Sequence, residues 1–202
     1  MLEKYEQYQG FIFDMDGTLL DSMPEHLNAW EITAKKFGFP FSRDWLNGLG
    51  GMPSYKIVAE INREFDLQLD AQEIARFKMA TFDEIATDIE IIECTNKVLQ
   101  AYAGKKPIAI GTGSQRILAE RLLCLSGLFD KVDVLVSANE VEAHKPNPDT
   151  FLKAAKLLNL KPSACVVFED TELGKKAAHA AKMDCYMVEG NKLVFYPYIT
   201  ND

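Results

Sequence analysis

The chain lacks what would mark it for a membrane, for nucleic acid or for an oxidising compartment. No apolar run approaches the roughly 20 residues that cross a bilayer. The start, Met1-Leu2-Glu3-Lys4-Tyr5-Glu6, has neither the basic opening nor the apolar stretch of a signal peptide. Basic residues are outnumbered, 22 against 30 acidic ones, and the formal net charge of −8 disfavours phosphate backbones and anionic membrane surfaces alike. The four cysteines, Cys94, Cys124, Cys165 and Cys185, are widely spaced with no CxxC pair, which argues against a zinc site or a disulfide framework. Cys165 and Cys185 sit in or beside apolar runs, where a buried thiol is expected. A reducing, cytoplasmic setting fits, with no nucleic-acid or membrane partner. There is no internal repeat and no low-complexity segment. What is there is ordinary globular composition, 48% hydrophobic and 26% charged over 202 residues, enough for one good core and a small second lobe.

The most informative stretch is Gly10-Phe11-Ile12-Phe13-Asp14-Met15-Asp16-Gly17-Thr18-Leu19. A short apolar run ends in two carboxylates two residues apart, then Gly-Thr. It reads as a buried strand whose C-terminal end opens into a turn, the place where open α/β sheets put their ligands. One carboxylate can attack while the other handles protons or helps hold a cation. A calcium loop would supply further oxygens and a closing Glu within about a dozen residues. Here Leu19 and Leu20 follow instead.

From about 20 to 87 the chain reads as helices only. Ser22-Met23-Pro24-Glu25 has the form of a capping box opening a helix that runs through Leu27, Trp30, Ile32 and Phe37 and stops at Gly38. Ser42 can cap a short helix, Pro53 opens a third, and Asp70 caps a fourth. From Lys106 the texture alternates. Strands are expected at 107–110, 132–136, 164–168 and 185–188, and helices at 114–125, 148–158 and 171–181. The expected fold is α/β, a Rossmann-like parallel sheet with helices on both faces. Residues 1–19 and 88–202 make the core, and the block between the first two strands, too long for a crossover, is an inserted α-helical cap at 20–87.

Three further polar clusters stand at strand ends. Gly111-Thr112-Gly113-Ser114 offers a hydroxyl, a flexible glycine and free N–H groups at a helix start, which suits a phosphate oxyanion. His144-Lys145-Pro146-Asn147-Pro148 is a stiff loop displaying one lysine, and Glu169-Asp170 is a second acidic pair. In a parallel sheet these ends share one edge. Asp14, Asp16, Glu169 and Asp170 would then meet, and like charges so close need a cation or raised pKa values. A hard divalent ion such as Mg²⁺, together with Lys145, would supply the balance.

In this order the clusters resemble the four motifs of the haloacid dehalogenase superfamily of phosphohydrolases: Asp-x-Asp-Gly-Thr at 14 to 18, Thr112, Lys145 in Lys-Pro-x-Pro-Asp, and Glu169-Asp170. The resemblance spans nearly the whole chain. The helical insert is similar to the small cap of the phosphoglucomutase-like branch, and within it to small bacterial sugar-phosphate phosphatases of the fructose-1-phosphate type. It implies an enzyme, a Mg²⁺-dependent phosphatase acting as a monomer on a small phosphorylated sugar or polyol. Asp14 would be the nucleophile and Asp16 the acid and base. Thr112, Gly113, Ser114 and Lys145 would hold the transferring phosphoryl group. Asp14, Asp16 through its main-chain carbonyl, Asp170 and Glu169 would hold the metal.

On the cap, the resemblance points to His26, Lys78 and the Gly51 loop as substrate-facing. Mutases place an arginine about three residues after such a glycine to grip a second phosphate, and here that position is Ser54. Its absence favours a hydrolase of singly phosphorylated substrates over a phosphoglucomutase-type isomerase. A non-catalytic phosphoacceptor or sensor is disfavoured because every motif residue is present, and a receiver module because it would lack Asp16 and the insert. His144 and His179 match no role and read as structural.

Overall fold

The computed structural model describes residues 2–199. Six strands form one sheet, β1 (Gly10–Phe13), β2 (Ile108–Gly111), β3 (Val134–Val136), β4 (Cys165–Glu169), β5 (Asp184–Glu189) and β6 (Lys192–Tyr196), in the order β3-β2-β1-β4-β5-β6. All neighbours are parallel except β5 and β6, which pair as an antiparallel edge. The inner strands are continuous buried runs, as a sheet covered on both faces requires.

Alternation along each strand divides the core. Phe11, Phe13, Ile108, Ile110, Val166 and Phe168 face one way, onto α5 (Glu93–Tyr102) and α6 (Arg116–Leu125). Ile12, Ala109, Cys165, Val167 and Cys185 face the other, onto α7 (Asp149–Leu157) and α8 (Glu172–Ala180). Cys165 and Cys185 are buried and all four cysteines are free. Among the described residues, no helix is long and apolar enough to cross a membrane.

Between β1 and β2 come α1 (Met23–Phe37), α2 (Arg43–Asn47), α3 (Ser54–Phe65) and α4 (Ala71–Ile85), before α5. They share a core of their own, built on Leu27, Trp30, Phe39, Leu46, Ile57, Ile61 and Ile74. Ala29, Phe82 and Ala86 belong instead to the sheet's larger core. The chain enters and leaves the insert side by side: Leu20 and Ile91 form an antiparallel bridge, and the Asp21 amide donates to the Glu90 carbonyl at 2.9 Å.

Two caps form as the sequence implies, since Asp70 accepts the Gln72 and Glu73 amides and Ser42 accepts that of Trp45. Ser22 does not. Its side chain makes no cap hydrogen bond and donates instead to Asp16 Oδ1 at 2.6 Å. The Ser22 backbone is in the helical region, φ −92° and ψ −8°, rather than the extended conformation usual for a capping residue, and its hydroxyl is aimed at the carboxylate. The helix expected from 114 starts at Arg116 because Ser114 is held in the turn. α5 and β6 are additional to the elements expected from the sequence.

Candidate active site

Register brings the polar clusters together. Phe13 pairs with Ile110 on one side and Phe168 on the other, so Asp14, Gly111-Thr112 and Glu169 leave the sheet at one height. Backbone bonds carry the ladder one residue further, Asp14 N–H to the Phe168 carbonyl and Thr112 N–H to the Val136 carbonyl, each 2.9 Å.

Lys145 is buried between two carboxylates, donating to Asp14 Oδ1 at 2.5 Å and Glu169 Oε1 at 2.6 Å. Burial alone would lower its pKa, but Asp14 and Glu169 outweigh that and hold it above the ordinary lysine range. The other Glu169 oxygen accepts the Asp170 and Thr171 amides and the Thr171 hydroxyl, at 2.7 to 2.9 Å. Gly174 makes room for it, since a Cβ there would overlap the Glu169 carboxyl. Asp170 accepts from Thr18 at 3.1 Å.

Carboxylate oxygens of Asp14, Glu169 and Asp170 lie within 4.8 Å of one another. Burial, opposed by Lys145 and reinforced by Glu169 and Asp16, pushes the Asp14 carboxyl up to about 7. Asp170 is raised as well, by burial and then by Glu169 and Asp14. A buried all-oxygen donor set carrying excess negative charge suits a hard divalent cation.

The Asp16 carboxylate points away from that cluster. It accepts from Ser22, from the Ser114 hydroxyl at 2.7 Å and from His26 Nε2 at 3.3 Å, with Thr112 at 3.4 Å. Burial would raise its pKa, yet His26, Ser22 and Ser114 prevail and hold it well below the usual carboxylate range. The Ser114 amide, expected to face phosphate, donates to Thr112 Oγ1 at 3.0 Å.

His26 lies flat on Phe82, ring centroids 3.8 Å apart, and receives a 2.6 Å hydrogen bond at Nδ1 from Lys78. With Nδ1 accepting, Nε2 carries the proton toward Asp16, so its two neighbours set the tautomer. Lys78 is only 2% exposed, with Trp30 and Phe82 rings beside its ammonium. Burial, only partly opposed by Asp16, lowers its pKa to about 7. The unfolded chain holds that proton up to about pH 10.4. The buried cation therefore costs stability in full below pH 7, and the cost fades as pH rises from 7 to about 10.4. Lys78→Met is thus expected to raise the melting temperature by about 5 °C or more at pH 6.5, with much less gain at pH 9.5. Thermal melts at the two pH values check the sign.

A cavity of about 710 Å³ opens over Asp14 and Asp16. Core residues Thr112, Gly113, Ser114 and His144 line it from below, and Met23, His26, Trp30, Ser54, Lys78 and Met79 from the insert. The Ser54 hydroxyl is turned onto the Met79 sulfur at 3.3 Å. The loop from Gly50 to Gly51 presses on the sheet edge: a Cβ on Gly113 would stand 2.4 Å from the Gly51 carbonyl oxygen. All the candidate residues thus surround one cavity or the acidic cluster at its floor. Ser22, Thr18 and Thr171 join them unanticipated. His144, expected to be structural, lines the cavity, whereas His179 bonds the Tyr196 carbonyl at 3.2 Å.

A family model for haloacid dehalogenase-like hydrolases matches residues 8–182. The chain belongs to this family. As a haloacid dehalogenase-like hydrolase it is 39% identical over 181 residues to the fructose-1-phosphate phosphatase YqaB of Escherichia coli, covering 89% of this chain and 96% of that one. It is 28% identical to a phosphorylated carbohydrates phosphatase of Thermotoga maritima, over 87% of this chain and 82% of the relative. Its fold superposes on the β-phosphoglucomutase of Clostridium difficile with a TM-score of 0.80 at 26% identity, covering 91% and 85% of the two chains. This haloacid dehalogenase-like hydrolase is a phosphatase.

Proposed function

We propose that the enzyme hydrolyses small sugar monophosphates, of which fructose-1-phosphate is representative, through a phosphorylated Asp14. The observation that carries this reading is the placement of two carboxylates of opposite character under one cavity. Asp14 lies in the acidic cluster beside Lys145, and Asp16 is ringed by hydroxyls and His26.

An Asp14 oxygen attacks phosphorus, forming the acyl phosphate as the bond to the sugar oxygen breaks. Asp16 delivers a proton to that departing oxygen, then takes one from the water that cleaves the acyl phosphate and restores Asp14. Lys145 and Thr112 face the charge that grows on the phosphoryl oxygens. Asp14, Asp170 and the Asp16 carbonyl would hold Mg²⁺, with Glu169 engaged chiefly by Lys145 and amides. When bound, the ion supplies neutralisation of phosphoryl charge.

The insert, residues 20–87, serves as a lid over the cavity, hinged near Leu19-Leu20 and Asp88-Ile89-Glu90. It admits a sugar phosphate and shields the acyl phosphate from bulk water until the alcohol leaves. Ser54, bonded to a thioether, offers no cation for a second phosphate, which favours hydrolysis over mutase chemistry. The test is phosphate release from a panel of sugar and polyol phosphates with Mg²⁺. Fructose-1-phosphate should rank among the best substrates, glucose-1-phosphate should release phosphate without a bisphosphate activator, and EDTA should stop turnover reversibly. Undiminished release in EDTA would overturn the metal assignment, and inert sugar phosphates the substrate class.

A further inference from the structure

Two cavity-lining residues play no part in the chemistry above. Tyr55 stands in the first turn of α3, directly after the loop that presses on Gly113, and His144 immediately precedes Lys145. The Tyr55 hydroxyl lies 3.2 Å from His144 Nε2, and the two rings meet edge to face at 6.3 Å and 79°. Among the described residues this is the side-chain hydrogen bond that ties α3 to the sheet domain.

We infer that Tyr55 and His144 are a positioning pair, which seats the insert's glycine loop on the catalytic lysine segment and so sets substrate affinity; this rests on reading the cavity as the substrate site. His144 is 5% exposed. Burial and then Lys56 lower its pKa, outweighing Asp149, so the ring is neutral near pH 7 and Nε2 can accept the tyrosine proton. The consequence is local. Tyr55 continues from Gly50-Gly51, whose backbone touches the phosphate loop, and His144 carries the peptide that leads into Lys145. One bond therefore holds both the roof and a wall of the site in the closed arrangement. Losing it enlarges the open population, and the competent fraction multiplies the apparent affinity. The chemical groups are untouched, so the effect falls on KM and spares kcat.

The test is a double-mutant cycle on the Mg²⁺-loaded enzyme with Tyr55→Phe, His144→Ala and the pair, read with fructose-1-phosphate and p-nitrophenyl phosphate. Tyr55→Phe should raise KM by up to about five-fold, the factor of one neutral hydrogen bond, with kcat within about two-fold and a melting temperature lower by no more than about 4 °C. The double variant should be no worse than the poorer single one. His144→Gln, which keeps an acceptor, should recover much of the loss. Without substrate, amide hydrogen exchange in Tyr55→Phe should quicken at residues 50–55, 113–115 and 143–147, with the sheet and α5 to α8 unchanged. Additive losses, equal falls in kcat, or unchanged exchange in those segments would overturn the proposal. A wild type inert toward fructose-1-phosphate would count against the substrate reading, while the exchange and p-nitrophenyl phosphate arms still decide the pair.

Discussion

Asp14→Asn is expected to lower turnover on every phosphomonoester by at least about 10⁴-fold, because the amide cannot form the acyl phosphate and no other carboxylate can take its place. Asp16 is held by four side chains on another bearing, both Glu169 oxygens are occupied, and Asp170, bonded to Thr18, would be taken up by the metal. Folding should not suffer. Burial, Glu169 and Asp16 all favour an uncharged group at position 14, and Lys145 keeps its bond to Glu169. The variant should melt no lower than wild type in the absence of metal, and it should fail to retain beryllofluoride with Mg²⁺. Released phosphate, a thermal melt and a binding titration separate these outcomes. Activity within ten-fold of wild type would eliminate Asp14 as nucleophile, and a collapsed melt would mean that loss of activity reports only unfolding.

Asp16→Asn is expected to cost at least about two orders of magnitude in kcat on sugar phosphates. The free enzyme keeps Asp16 ionised, since His26, Ser22 and Ser114 overcome the effect of burial. That is the right form for a base but not yet for an acid. A phosphoryl dianion arriving beside the carboxylate raises its proton affinity, as any like charge at close range does. Acid and base work can then alternate within one cycle. The leaving group tells the two roles apart. A sugar alkoxide needs the proton and p-nitrophenolate does not, so the variant should phosphorylate normally from p-nitrophenyl phosphate and then stall. Stopped-flow should show a burst of p-nitrophenol near one equivalent of enzyme, followed by slow turnover. Equal losses on both substrates with no burst would remove the acid role.

Much of the fold, and the gathering of its polar groups at one edge, was legible because strand ends in a parallel sheet carry their own punctuation. Apolar runs closing in Asp14, Thr112 and Glu169 announce the edge and the residues that meet there, and parallel pairing needs no further information to bring them together. What stayed hidden turns on competition between partners. Ser22 has the spacing of a helix cap, and only the folded position of Asp16 shows that its hydroxyl donates to a carboxylate and caps no amide. His144 carries no local signal, because its partner lies 89 residues away in the chain. α5 has no capping side chain at its start, with Ile92 in that position. β6 has a short apolar run, Leu193 to Tyr196, but it pairs as an antiparallel hairpin partner at the sheet edge and stays largely half exposed, outside the alternation of parallel strands and helices.

The bridge between Leu20 and Ile91 makes the whole helical block, topologically, the loop of a tiny hairpin. Its ends are already adjacent, so the length between them bears little on the strands behind. Closing a flexible loop costs only about 0.6 kcal/mol more for each doubling of its length. A block with its own apolar centre can therefore lengthen, shorten or be exchanged while Asp14, Lys145 and Glu169 keep their register. On the proposed function, substrate range and bond-breaking chemistry would then reside in parts of the molecule that inheritance can revise separately.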